Sequence, residues 1–183
     1  MKTKNASLAM ATLFCMMSNS LLGQAIQKPG QYKVGRHIIS VEESSTYHSL
    51  WITEDGNIIS DMLKNPRSLI RFEGMKFSGR ETINSTFVRV LGISRIKELI
   101  YDPKQVDILV ILYAVASQGN GKVVGVQFMI PSRQKIRLTS KELVDLTIFM
   151  KRHITLSLPP NVTAGSRIAP FSQTVKFSRL LNE

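Results

Sequence analysis

Apolar and polar positions recur with different periods along this chain, and the periods divide it into elements. The first stretch has no period. Ala6–Met17 is almost continuously apolar behind a head bearing Lys2 and Lys4, and Ser18–Gly23 leads into a polar, Pro- and Gly-containing run from Gln24 to Gln31. A positive head, a short apolar core and a small residue ahead of a polar one form the pattern of a secretory signal peptide. Residues 1–23 are read as that peptide, with cleavage after Gly23 or after Ala25. The apolar core falls short of the ~20 residues that span a bilayer, so no stable transmembrane span is expected after cleavage.

From Tyr32 the pattern is that of strands. Tyr32–Val41, with Ile38, Ile39 and Val41, predicts a first strand, Glu42–Thr46 a turn, and Tyr47–Thr53 a second strand. Glu54-Asp55-Gly56-Asn57 is turn chemistry, because Asp-Gly tolerates positive φ. Ile58–Met62 then returns as a strand, and Ser68–Phe72 is a further short one. Between Thr82 and Tyr101 the period lengthens. Ile83, Phe87, Val90 and Leu91 fall at helical spacing, as do Ile96, Leu99 and Ile100. One helix or two short ones are predicted, with Gly92 as the weak point. The β-branched Thr86, Val88 and Val90 leave Thr86–Leu91 open as a strand. Asp102-Pro103 ends the segment.

The second half carries stronger signals. Val106–Ala116 is apolar on both faces, as a central strand is when helices cover it. Asn120-Gly121 is a hairpin signal, and Lys122–Ile130 returns with Val124, Val126, Phe128 and Ile130 on one face. Val123, Gly125, Gln127 and Met129 take the other. Pro131–Leu138 is a basic loop or a short extension of the strand. Thr139 followed by Glu142 is a capping box, which predicts a helix over Ser140–His153 with Leu143, Leu146, Thr147 and Met150 on its inner stripe, widened by Val144 and Phe149. Pro159-Pro160 and Asn161–Ala169 form a loop, and Phe171–Leu180 a last strand whose polar second face suits a sheet edge. The expected fold class is α+β, an antiparallel sheet with helices packed on one face.

This order resembles the C-terminal domain of TonB over residues 94–181. The matching stretches are Ile108–Ala116, Asn120-Gly121-Lys122-Val123 with Val124–Ile130, Leu138–Leu143 through Arg152, and Pro170–Leu180. The resemblance implies a small envelope-facing domain. The departures are a missing uncleaved anchor, a missing Pro-rich spacer and a missing Tyr-Pro stretch, so coupling of two membranes is not implied. Cleavage just before Gln also resembles the style of small exported proteins of Bacteroides-type bacteria. The chain is accordingly divided into a signal peptide (1–23), a β-rich N-terminal segment with a helical stretch (24–93) and a TonB-C-like α+β domain (94–183). Leu50–Ile59 echoes Tyr113–Val124, a hint of duplication too short to establish one.

Composition changes this picture in two ways. Cys15 is the only cysteine and falls inside the signal peptide, so the mature chain has none and stands on its hydrophobic core. The formal charge is +11, and loss of Lys2 and Lys4 takes it to +9. Such charge suits nucleic acid, an anionic surface or plain solubility. Export and the absence of aromatics among the basic residues argue against nucleic acid. An envelope protein or an anionic glycan or lipid is the expected class of partner, and the compartment is periplasmic or extracellular.

No catalytic residue is assigned. His37, His48 and His153 lack the spacing of metal ligands, no Gly-x-Ser-x-Gly elbow exists, and the adjacent pairs Glu42-Glu43 and Glu54-Asp55 are ordinary in turns. No metal or cofactor is expected. Tyr47 and Trp51 share a strand face, where they either pack in the core or form an aromatic ligand platform. Arg133, Lys135 and Arg137 alternate, so they either line up toward a carboxylate or phosphate or form a solvated loop. The expected function is a non-enzymatic exported binding or interaction module, with an envelope structural or assembly protein, or a hydrolase, as alternatives. An assembly protein would pair through its last strand, edge to edge.

Overall fold

The computed structural model describes residues 26, 28–54, 74–100, 107–117, 120–131, 137–157 and 168–181. The signal-peptide segment, the strands expected at Ile58–Met62 and Ser68–Phe72, and the Pro159-Pro160 loop lie outside the described residues.

Among the described residues the elements run β1 (Gly30–Val34), β2 (His37–Ser44), β3 (Ser49–Glu54), β4 (Lys76–Phe77), α1 (Ile83–Ile100), β5 (Ile108–Ser117), β6 (Asn120–Pro131), α2 (Ser140–His153), β7 (Thr155–Ser157), β8 (Ile168–Val175) and a 3-10 turn at Phe177–Arg179. All strand pairs are antiparallel, in the order β1-β2-β3-β6-β5-β8, with β7 on β6 and β4 on β7. The fold is α+β. Residues from both sides of position 93 share one sheet and one core, in which Ile39, Leu50 and Ile52 pack with Val110, Val126, Phe128, Leu143 and Met150. Both helices contribute to that core, so they cover the same face. Position 93 itself lies inside α1, next to its break.

Several boundaries differ from the sequence expectation, each for a physical reason. Tyr32–Val41 is two strands rather than one: Gly35 takes φ 58 and the chain reverses, so that Val34 pairs with His37. A Gly-Arg turn has no Asn-Gly signature and hides inside an apolar run. Glu42 and Glu43, expected in a turn, are paired in β2, and the reversal comes at 45–48 instead. There His48 has φ 45, a left-handed conformation uncommon outside glycine but several-fold enriched in histidine.

α1 forms as a helix broken at Gly92, whose φ 77 and ψ 157 are open to glycine and costly for other residues. The strand alternative for Thr86–Leu91 does not form. Thr86 is buried within the helix and its hydroxyl donates to the Thr82 carbonyl at 2.8 Å. α2 follows its signals closely. Thr139 Oγ1 accepts from the Glu142 amide at 3.2 Å, and the Glu142 carboxylate accepts from the Thr139 amide at 2.7 Å.

The β5–β6 hairpin closes with Ser117 opposite Asn120, so Asn120 and Gly121 belong to the strand and not to the turn. Further along, Tyr113 pairs with Gly125 but Ala114 with Val123, which leaves Val124 as an extra residue in β6. This bulge reverses the facing of the strand's first part. Val123, expected opposite Val126, joins it in the core, while Val124 is only half-buried. Simple alternation cannot register an inserted residue. The bulge also separates two partners of β6: residues 127–131 pair with β3, and 120–122 with β7. β4 pairs with β7, and its Phe77 ring meets Phe171 of β8 edge to face at 5.0 Å, both rings packing against the core.

The last strand starts earlier than expected, at Ile168, and stops at Val175, where the 3-10 turn buries Phe177 and Leu180 follows it into the core. β8 is an edge strand of this order, with Pro170 in its first half.

Candidate binding site

Strand register decides which residues share the face opposite α1 and α2. Glu42 pairs with Trp51, Trp51 with Met129, and Met129 with Leu109, a row running across β2, β3, β6 and β5. The neighbouring row is Ser40, Thr53, Gln127 and Ile111. Side chains directly opposite each other on one face have Cβ atoms about 4.5–5.5 Å apart.

Tyr47 and Trp51 come together at the β2–β3 end of this face. Their ring centroids are 6.0 Å apart and the planes are inclined by 26°. The pair is pre-positioned. Trp51 Nε1 donates to Ser49 Oγ at 2.9 Å, and the Tyr47 amide donates to Ser44 Oγ at 3.4 Å. Trp51 is half-buried and Tyr47 is 66% exposed. With the indole N–H occupied and Tyr47 stacked on the indole, what Trp51 offers a ligand is the part of its ring surface left exposed beside Tyr47.

The same face is closed farther along. Tyr113 and Ile168 are buried there with Ile111 and Val115 packed against them, in a cluster separate from the main core. Tyr113 Oη donates to Gln127 Oε1 at 2.8 Å, and both residues are buried. Burial pushes the Tyr113 phenol up to about 12. Tyr113 is therefore buried on the second face. Phe128 is in the main core.

The basic residues stand differently. Arg133 and Lys135 lie outside the described residues. Arg137 is exposed beside the start of α2, and its carbonyl accepts from Arg95 Nη2 at 2.7 Å. The structure therefore brings Tyr47 and Trp51 together and does not show the three cations as a row. Glu42, assigned to a turn from the sequence, is the residue that reasoning missed. Its signal was the alternation of His37 to Ser44, masked by two adjacent glutamates.

The histidines are dispersed. His37 Nδ1 lies 2.5 Å from Glu54 Oε1, whose other oxygen is 3.4 Å from Lys151 Nζ, so this group ties β2 and β3 to the end of α2. His153 lies against Phe149 with centroids 4.3 Å apart. Among the described residues no three His, Cys, Asp or Glu side chains are grouped to hold a metal, and no helix is long and apolar enough to cross a membrane. An apolar concavity of about 450 Å³ lies where α1 meets the C-terminal turn, lined by Ser85, Val88, Arg89, Ile93, Leu180 and Leu181. Tyr47, Trp51 and Arg137, the described residues among those expected to bind, do not line it.

No protein-family model matches the chain. No curated protein matches it either. Among solved structures, a DUF5043 family protein from Bacteroides uniformis ATCC 8492 is similar, with a TM-score of 0.51 and 10% identity over 84% of this chain and 87% of that one. At that identity the likeness is one of fold. It agrees with an α+β architecture and carries no site residue across.

Proposed function

We propose that this protein is a non-enzymatic binding module of the bacterial envelope, exported through its N-terminal segment and contacting its partner at the Tyr47–Trp51 end of the sheet. The observation that carries this reading is the aromatic pair itself. Tyr47, 66% exposed, stacks on the half-buried Trp51, whose indole is held by Ser49, and two adjoining aromatic rings at the surface are a feature of binding sites more than of an inert face. Tyr and Trp combine apolar area with few rotatable bonds, which favours them at binding surfaces. The envelope setting rests on the N-terminal pattern of residues 1–23 and on the TonB-like order of residues 94–181 in the sequence. The anionic glycan or lipid partner rests on Arg133, Lys135 and Arg137 and stands as a separate arm of the same proposal.

The assembly alternative is weakened by Pro170. Proline has no N–H to give a neighbour and is tolerated on a strand whose nitrogen faces away from the sheet, so it removes one donor from the free edge of β8. Edge-to-edge pairing through this strand's first half would lack that bond.

Two experiments test the proposal. Sequencing the mature N-terminus from envelope material is expected to give a start after Gly23 or Ala25, and a start at Met1 overturns export. A photo-crosslinking residue placed at position 47 in the producing cell is expected to yield discrete adducts that the same group at Glu98 does not. Equal labelling at both positions overturns the assignment of the surface.

A further inference from the structure

The residue beside the aromatic pair narrows the chemistry of what it binds. Glu42 stands directly across from Trp51 and is on the same face. It is exposed, and it makes no ion pair with a described residue. Trp51 offers the part of its ring surface left exposed beside Tyr47, since its N–H is bound to Ser49. Tyr47 stacks at 6.0 Å on the same indole. A carboxylate with no ion pair among the described residues, paired across the strands with Trp51, on which Tyr47 stacks, forms a local acidic and π-rich spot on a chain whose formal charge is +11.

Each component favours one kind of ligand. The ring quadrupole attracts a cation over its face, most strongly for Trp. The carboxylate adds a counter-charge on the residue paired directly with Trp51. An anion at this spot would meet repulsion from both. We propose that Glu42, Trp51 and Tyr47 together bind an organic cation, an ammonium or guanidinium group, with Glu42 as its counter-ion. This inference rests on the binding surface proposed above and specifies what that surface accepts. It also separates the aromatic site from the anionic-partner reading, which belongs to Arg133, Lys135 and Arg137.

Trp51 is the only tryptophan, so its emission reports on this site alone. The purified chain is titrated with choline and, in parallel, with 3,3-dimethyl-1-butanol, its neutral isostere with carbon in place of nitrogen. Saturable quenching by choline, about tenfold stronger than by the isostere, is expected. Glu42→Gln, at an exposed position, is expected to weaken choline severalfold without changing the thermal midpoint. Nα-acetyl-lysine amide and Nα-acetyl-arginine amide form the second arm. Tighter binding of these than of choline assigns the cation to a basic protein segment, and the reverse assigns it to a quaternary amine or its lipid headgroup. The inference is overturned if the isostere binds as well as choline, if Glu42→Gln leaves choline binding unchanged, or if cellobiose quenches and choline does not. Those outcomes leave position-47 crosslinking intact, whereas loss of crosslinking removes the surface altogether.

Discussion

Arg95 Nε donates to Glu142 Oε1 at 2.8 Å, joining the second half of α1 to the first turn of α2. The same carboxylate caps its own helix by accepting from the Thr139 amide, and Arg95 also donates to Glu98 and to the Arg137 carbonyl. The guanidinium is held above its ordinary pKa chiefly by the bond to Glu142. The pair is partly exposed, which limits its worth. A double-mutant cycle of Arg95→Ala and Glu142→Ala is expected to give a coupling of about 1 kcal/mol by urea unfolding. Thr139→Ala alone is expected to cost about 1 kcal/mol through loss of the cap. Additive single mutants would mean that Arg95 and Glu142 act independently.

The buried Tyr113–Gln127 bond predicts an alkaline limit. The folded state holds the phenol proton up to about 12, while the unfolded chain releases it near the ordinary tyrosine value of 10.0. Between these values the unfolded state binds fewer protons, so stability is constant below the lower one and falls as pH rises toward the upper. The total loss is roughly 1–3 kcal/mol. Tyr113→Phe is expected to flatten this pH dependence in denaturant titrations relative to the parent. It also lowers stability at neutral pH by about 1–3 kcal/mol, because Gln127 is left buried without its donor. An unchanged alkaline slope would place the proton elsewhere.

Gly92 tests the helix break. An added Cβ meets no atom within 4 Å, so any cost of Gly92→Ala comes from φ 77 and ψ 157 alone. About 1–3 kcal/mol of destabilisation is expected. Gly79→Ala, where the nearest atom is the Glu81 amide nitrogen at 4.0 Å and φ is ordinary, is expected to be near neutral. Equal effects at both glycines would mean that α1 straightens when given a side chain.

Tyr47→Ala separates binding from folding. The side chain lies largely in solvent, so stability is expected to change by less than about 0.5 kcal/mol. Crosslinking and ligand-induced quenching at the neighbouring Trp51 are expected to fall. A large loss of thermal stability would assign Tyr47 to the scaffold instead.

The local signals in this chain determined what is built locally. The capping box at Thr139 and Glu142 fixed where α2 starts, the long apolar run fixed β5 as an interior strand, and Gly92 marked the break in α1, because each depends on residues only a few positions apart. Facing and neighbourhood needed the tertiary structure. An extra residue at Val124 moves Val123 from one face to the other, and no periodicity announces it. Pairing of β3 with β6 joins residues far apart in the chain, and the register of β2 on β3 turns Glu42 from a turn residue into the neighbour of Trp51. The two aromatics were legible as a pair four residues apart. Their exposure, and the carboxylate beside them, follow from which face α1 and α2 cover.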